Sequence, residues 1–180
     1  YLNATVRNDW FSTLSPENRS IVYPSVSASY VLSESFSAPP SWLDFAKIRA
    51  AYAEAGSDTD VPPYADKLFY GTSAAQFGGQ PVGNFGTTIP NANLKPMRIA
   101  ETEVGLETKM FDSRVGLDVA LYRRVTSDQI VNAQVSNASG FVNTRINSGE
   151  SENKGIEVMV TLVPFRTPNF EWEFIFNGAY

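Results

Sequence analysis

From Glu101 to Arg124 the chain changes character at every residue. Thr102, Val104, Leu106, Thr108 and Met110 alternate with Glu101, Glu103, Gly105, Glu107 and Lys109. After Phe111, Asp112 and Ser113 the period resumes, with Val115, Leu117, Val119 and Leu121 set against Gly116, Asp118, Ala120 and Tyr122. A period of two belongs to the β-strand, where successive side chains point to opposite faces. The stretch therefore predicts two antiparallel strands joined by a tight turn, apolar on one face and studded with carboxylates on the other. Such a sheet needs water or a polar lumen on one side and something apolar, a protein core or lipid, on the other.

Composition narrows the classes. With 180 residues the chain is long enough for one domain with a sizeable core. A net charge of −5 disfavours a nucleic-acid surface, and the absence of histidine removes the commonest general base and metal ligand. The absence of cysteine excludes disulfides, thiolate metal sites and a thiol nucleophile. Mean hydropathy is −0.18, and no apolar run approaches the roughly twenty residues of a membrane helix. A transmembrane barrel would escape that filter, since only alternate residues of its strands are apolar. The opening Tyr1-Leu2-Asn3 is neither an initiator nor a signal peptide, so a piece of a longer polypeptide is expected.

Taken in order, the chain yields seven strands. The first covers Tyr1 to Arg7, and the second runs from Tyr23 to Ser33, with Val26, Ala28, Tyr30 and Leu32 facing away from Ser25, Ser27 and Ser29. Leu43 to Gly56 reads either as an alanine-rich helix or as a strand from Lys47 that places Ile48, Ala50 and Tyr52 on one face. The hairpin 101–124 follows, then Lys154 to Val163 and Phe170 to Tyr180, the last with Trp172, Phe174, Phe176 and Tyr180 on its apolar face. Polar loops are expected at 8–20, 57–98 and 125–153, with at most a short strand near Lys67 to Tyr70 and others at Ile130 to Val135 and Phe141 to Ile146. Short connections are expected near 34–42, 112–113 and 166–169.

Long and short connections alternate strictly. In an antiparallel meander that puts every long loop at one end, the asymmetry of outer-membrane barrels with their short periplasmic turns and long extracellular loops. Phe111, Phe165 and Phe170 fall beside the short turns, as an interfacial aromatic girdle requires, and Arg123 shares the apolar parity only at the long-loop end. The expected fold is thus all-β, an antiparallel up-and-down transmembrane barrel sector. Seven is odd where single-chain bacterial barrels are usually even, so further strands are expected on both sides.

Several segments, in this order, resemble the barrel half of SusC/RagA-like TonB-dependent outer-membrane transporters. They are Arg7-Asn8-Asp9-Trp10, Tyr23-Pro24-Ser25-Val26-Ser27, Lys47-Ile48-Arg49-Ala50-Ala51-Tyr52 and Gly56-Ser57-Asp58-Thr59. They continue with Asn91-Ala92-Asn93-Leu94-Lys95-Pro96, Glu103-Val104-Gly105-Leu106, Tyr122 with Asp128-Gln129-Ile130, and Asn147-Ser148-Gly149-Glu150 running into Glu152-Asn153-Lys154-Gly155-Ile156-Glu157. Family members commonly carry a glutamate directly after Leu-Lys-Pro, where this chain has Met97 and Arg98, so no role for that carboxylate is carried over. The resemblance implies that 1–180 is part of a single barrel domain, 22-stranded and plugged, in the bacterial outer membrane. It also implies import of glycans or peptides, energy delivered by TonB through an absent plug, outer-membrane lipid around the barrel and a SusD-like surface lipoprotein as lid. No enzyme activity, cofactor, metal or nucleic-acid partner is expected.

Within that expectation Glu101, Glu103, Glu107, Asp118, Tyr122 and Glu157 are the candidate lumen-facing residues. Trp10, Tyr64, Tyr70, Phe85 and Phe141 are the candidate loop aromatics for ligand contact, since aromatic faces stack on sugar rings. A secreted β-sandwich that binds carbohydrate through the same aromatics is the alternative. Glu101 and Glu103 also have the spacing of a glycosidase pair, though any alternating strand supplies it. Asp58, Asp60 and Asp66 lack the glycine and terminal glutamate of a calcium loop, and Gly78-Gly79 to Gly86 lacks the lysine of a phosphate loop.

Overall fold

The computed structural model describes residues 1–36, 38, 40–58 and 61–180. The readings that fall on Pro39, Thr59 and Asp60 lie outside the described residues. Seven long strands form one antiparallel meander: β1 (Leu2–Trp10), β2 (Ser20–Val31), β3 (Leu43–Ser57), β7 (Met97–Met110), β8 (Val115–Gln134), β9 (Asn143–Thr167) and β10 (Phe170–Ala179), paired in that order. Between β3 and β7 lie a separate hairpin, β4 (Tyr70–Phe77) with β5 (Gln80–Phe85), and a two-residue strand β6 (Thr88–Ile89) that runs parallel to β9. The sheet stays open, β1 and β10 being its edges. Helix among the described residues amounts to two short 3-10 turns, Ser33–Ser35 and Asn137–Ser139.

The seven expected strands are all present, and the alanine-rich segment is strand throughout. Its alternatives were settled by pairing, because Ala46 to Ser57 aligns residue by residue with Thr108 to Met97. Four expectations need correction. Long and short connections do not alternate strictly, because 32–42 between β2 and β3 is longer than both 11–19 and 135–142. The 125–153 segment is not a long loop: β8 and β9 continue as a paired hairpin, and only 135–142 connects them. The short strands placed in that segment are continuous parts of β8 and β9, and Phe141 and Val142 precede the strand. The 57–98 segment holds the β4–β5 hairpin, and residues 67–69 are not strand. Gly78 and Gly79 make its two-residue turn with φ of 59° and 77°, the left-handed pair that matches the twist of a hairpin.

Register carries one apolar surface across the whole sheet. Ala4 faces Val26, Val26 faces Tyr52, Ile48 faces Leu106, Leu106 faces Val119, and Val119 faces Val158. Phe176 of β10 faces Val160 beside this band. Nothing in the described residues covers it: Leu121 is 56% exposed and Phe176 57%. A sandwich would set a second sheet there. From Thr102 to Met110 the band is nine residues long, which at ~3.3 Å per residue and a ~40° tilt covers ~23 Å, the height of a barrel's lipid-facing belt.

The short-connection end is ringed by aromatics. Trp42 and Phe111 lie with centroids 6.5 Å apart, and Phe165, Trp172, Phe174 and Phe176 follow one another at 6.2, 4.9 and 6.3 Å. The β7–β8 turn holds Phe111, Asp112 and Ser113 at φ of 59°, 56° and 57°, a left-handed run that L-residues resist. Neighbours compensate. The Phe111 N–H donates to the Trp42 carbonyl at 2.9 Å, the Ser113 N–H to the Asp44 carboxylate at 2.8 Å, and Arg166 Nη1 to the Asp112 carbonyl at 3.1 Å.

Val119 sits at the middle of the apolar band. If this band faces lipid, as the sequence leads one to expect, Val119→Lys in the full-length protein should cost ~2–4 kcal/mol and reduce the heat-modifiable, membrane-assembled fraction on a gel. Ser27→Lys, on the opposite face, should leave that fraction unchanged.

Candidate functional site

Opposite the apolar band the sheet presents a charged face whose members are assembled by the same register. One row runs Lys47, Glu107, Asp118 and Met159, the next Arg49, Gly105, Ala120 and Glu157, and the next Ala51, Glu103, Tyr122 and Gly155. Glu101 lies opposite Arg124 in the row beyond. All six residues singled out from sequence, Glu101, Glu103, Glu107, Asp118, Tyr122 and Glu157, therefore share this face.

Their counter-ions were not singled out. Arg49 lies sideways across the sheet, its Nε donating to Glu103 at 3.1 Å while Nη1 and Nη2 grip both oxygens of Asp118 at 3.1 and 2.8 Å. A two-pronged guanidinium–carboxylate contact fixes direction as well as charge. Gly105 makes room for it: a Cβ there would stand 2.5 Å from Arg49 Cζ. Lys47 pairs with Glu107 at 2.6 Å and Arg124 with Glu101 at 2.5 Å. The sequence carried only their parity, since Lys47 and Arg49 sit two residues apart on one face of β3. Glu157 alone of the five carboxylates singled out has no ion pair among the described residues. It lines, with Arg49, Asp118 and Asn177, a concavity of about 600 Å³.

The carboxylate-hydrolase reading loses its chemistry here. Glu101 and Glu103 are each committed to a guanidinium, in an arrangement that spans three strands.

At the long-connection end a second assembly forms from segments far apart in sequence. Leu14, Val61 and Leu94 make a small buried core, with Phe11, Ala65 and Ile130 packed around it. Ser15 and Asn18 donate to the Ala92 carbonyl at 2.7 and 3.1 Å, and Thr13 donates to the Asp58 carboxylate. Asn147 clamps the strand entering β7. Its Oδ1 accepts from the Lys95 N–H at 2.9 Å, and its Nδ2 donates to the carbonyls of Lys95 and Asp128, both at 2.8 Å. Asp128, at φ 55°, belongs to the bulge where β8 and β9 change register. Asn91 adds a donation to the Arg145 carbonyl at 2.7 Å. Two motifs that carried the family resemblance, at 91–96 and 147–150, thus bind each other.

Three of the five loop aromatics come together on this scaffold. Tyr70 and Phe85 meet edge to face at 6.3 Å, and Phe85 lies 5.5 Å from Phe141 on the β8–β9 connection. Trp10, at the end of β1, and Tyr64, in a turn at φ 62°, are exposed and make no ring contact among the described residues. Arg98, which stands near the position of the family's glutamate, instead pairs with Glu54 at 3.0 Å. Farther along, Arg123 donates through Nε to Glu152 at 2.7 Å, and this hydrogen bond and charge hold the Glu152 carboxyl below its ordinary range. Among the described residues no acidic cluster is built to hold a metal ion.

A family model described as "TonB dependent receptor-like, beta-barrel" matches residues 1–180. TonB-dependent receptor P26 of Formosa agariphila is 30% identical over 169 residues, which are 93% of this chain and 17% of that protein. TonB-dependent receptor SusC of Bacteroides thetaiotaomicron is 25% identical over 181 residues, 96% of this chain and 18% of that one. Among solved structures, the RagAB peptide importer in its closed-closed state superposes with a TM-score of 0.87 at 21% identity, covering 100% of this chain and 20% of that chain. The siderophore receptor PirA from Pseudomonas aeruginosa follows at 0.56 and 16% identity, covering 99% of this chain and 31% of that chain. These likenesses give the fold, and the chain spans less than a fifth of the curated relatives' length.

Removing the clamp should loosen the loops and spare the barrel wall. Asn147→Ala deletes three hydrogen bonds, each worth about 0.5–1.5 kcal/mol. In the complete polypeptide we expect faster proteolytic nicking within 58–96 and unchanged heat-modifiability of the barrel.

Proposed function

Because the chain belongs to the family of TonB-dependent receptor-like β-barrels, we propose that it is one sector of an outer-membrane transporter that imports glycans or peptides. The observation that carries the reading is the two-faced meander itself. One face is a charge-free apolar band with nothing among the described residues packed on it, the other an ion-paired wall, and the longest connection, 58–96, lies at the same end as the long β8–β9 hairpin. In this reading the band meets lipid and the wall lines a plugged lumen. Glu101, Glu103, Glu107, Asp118, Tyr122 and Glu157 then face the plug or the passing cargo.

The chain's own residues do no covalent chemistry in this scheme. The wall supplies a rigid, wetted surface, since its carboxylates are tied to Lys47, Arg49 and Arg124 and cannot rearrange freely around a solute. The long-loop end supplies recognition. Tyr70, Phe85 and Phe141 form a ring cluster suited to a sugar face or an apolar peptide side chain, with Trp10 and Tyr64 as separate contacts. Energy would arrive from TonB through the plug, and a SusD-like lipoprotein would close the mouth. The family is one of receptors and transporters, which accords with a site built for binding.

Cargo class is decided by uptake. A strain lacking the complete polypeptide should lose growth on either a glycan or a peptide source and regain it with the natural protein. Tyr70→Ala with Phe85→Ala and Phe141→Ala should weaken capture roughly tenfold or more, given the ~1.5–3 kcal/mol that a buried aromatic contributes. A detergent-extracted band of roughly 100 kDa that migrates faster unboiled is expected, since this 19.8 kDa chain spans 17–20% of its relatives. A soluble band near 19.8 kDa with unchanged migration would replace the transporter by the carbohydrate-binding sandwich.

A further inference from the structure

The apolar band ends, at the long-loop side, in two cations. Arg123 of β8 and Lys154 of β9 are direct partners across the ladder, one row beyond the Leu121 and Ile156 pair. Both share the parity of Val104, Leu121 and Ile156, so they stand on the outward face and not on the ion-paired wall. Together with Thr102 these residues line an open groove of about 670 Å³, apolar below and cationic above. The order of chemistry along the groove, from hydrocarbon to positive charge, follows a membrane from acyl chain to phosphate.

Arg123 is engaged only in part. Glu152 takes its Nε, the Nη groups make no hydrogen bond among the described residues, and the side chain is 63% exposed. Lys154 has no carboxylate within ion-pair distance among the described residues. Glu150 adds its charge at Arg123 from farther away. The cluster is therefore close to neutral when empty, and a phosphate would have to compete with Glu152, which holds Arg123 directly and acts on Lys154 through its charge from farther away.

We propose that Arg123 and Lys154 bind the phosphate of a phosphorylated lipid in the leaflet on the long-loop side, with its acyl chain laid over Val104, Leu121 and Ile156. The occupant is a lipid and not a free anion because the apolar floor is continuous with the band that faces the bilayer. This inference rests on the outer-membrane reading. A cation near an anionic lipid surface contributes ~1 kcal/mol, which is about a fivefold change in affinity.

The test uses the complete transporter, delipidated in detergent and titrated with bis-phosphorylated lipid A, with bound lipid counted by native mass spectrometry. Arg123→Gln with Lys154→Gln should weaken binding roughly twentyfold, and wild type should prefer the phosphorylated lipid to its dephosphorylated form by a similar factor. Glu152→Gln, which removes the competing carboxylate, should tighten binding two- to threefold. Equal binding of both lipids by wild type would overturn the proposal, as would insensitivity to the double variant or displacement by millimolar inorganic phosphate. Heat-modifiable migration of the same preparations separates the two failures. A wild-type protein that inserts but ignores the lipid phosphate refutes the site alone, whereas one that never enters membranes refutes the reading beneath it.

Discussion

Everything in this sheet depends on strand register. Side chains alternate faces with a period of two, so a slip of one residue between β7 and β8 would exchange Leu106 for Glu107 on the apolar face and put Val119 among the carboxylates. Hydrogen bonding alone does not prevent the slip, since a displaced ladder pairs its amides equally well. The side chains prevent it. Arg49 of β3 reaches past Gly105 on β7 to Asp118 on β8, so one residue ties three strands to a single alignment. At the other end the left-handed turn 111–113, held from Trp42, Asp44 and Arg166, admits one way of joining β7 to β8.

The long-connection end is governed by a different economy. Its segments have few apolar residues for a core of their own, and the buried apolar cluster there, among the described residues, is Leu14, Val61 and Leu94. Directional bonds do the rest. Asn91 and Asn147 satisfy backbone groups across more than fifty residues of sequence, and β6 lies parallel to β9 at Thr88 and Ile89. These half-buried side chains tie the loops by several directional bonds at once, so the loops hold an arrangement where otherwise they would be loose. The β4–β5 hairpin is the exception. It pairs only with itself and carries Phe77 at 85% exposure beside its glycine turn.

How much of this could be read from the sequence follows from where the information is local. Strand identity in β7, β8, β9 and β10 was legible because the two-residue period is a property of neighbours along the chain. β3 was ambiguous because alanine satisfies either period, and its pairing with β7 decided the matter. The extension of β8 and β9 past Val125 was legible only as short strands near Ile130 to Val135 and Phe141 to Ile146, since the polar runs 126–129 and 147–153 leave no alternation to join them to the hairpin. The β4–β5 hairpin announced itself only through Gly78-Gly79, flanked by runs poor in β-branched residues. Of the candidate sites, the carboxylate face was legible by parity. Arg49's partners were not, because a diagonal reach across two strands has no signature in spacing. The gathering of Tyr70, Phe85 and Phe141 was equally invisible, as Phe85 and Phe141 meet beside the Thr87 carbonyl, which accepts from the Val142 and Asn143 N–H groups of a distant connection.

On the transporter reading, the division between wall and loops has a consequence for selectivity. A lumen lined by unpaired carboxylates would attract any cation and repel any anion, whatever its shape. Here Lys47, Arg49 and Arg124 offset Glu107, Glu103, Asp118 and Glu101 only in part, three cations to four carboxylates, and Glu157 is the one carboxylate of that set without an ion pair among the described residues. Paired charges still present hydrogen-bonding groups and hold water, but their fields cancel over a few ångströms. A wall of that kind keeps a residual negative charge, centred on Arg49's shared carboxylates and Glu157, but a far weaker field than five unpaired carboxylates would make. Discrimination then has to be exercised before entry, at the aromatic and asparagine-rich loops, where shape and ring contacts differ from one cargo to the next.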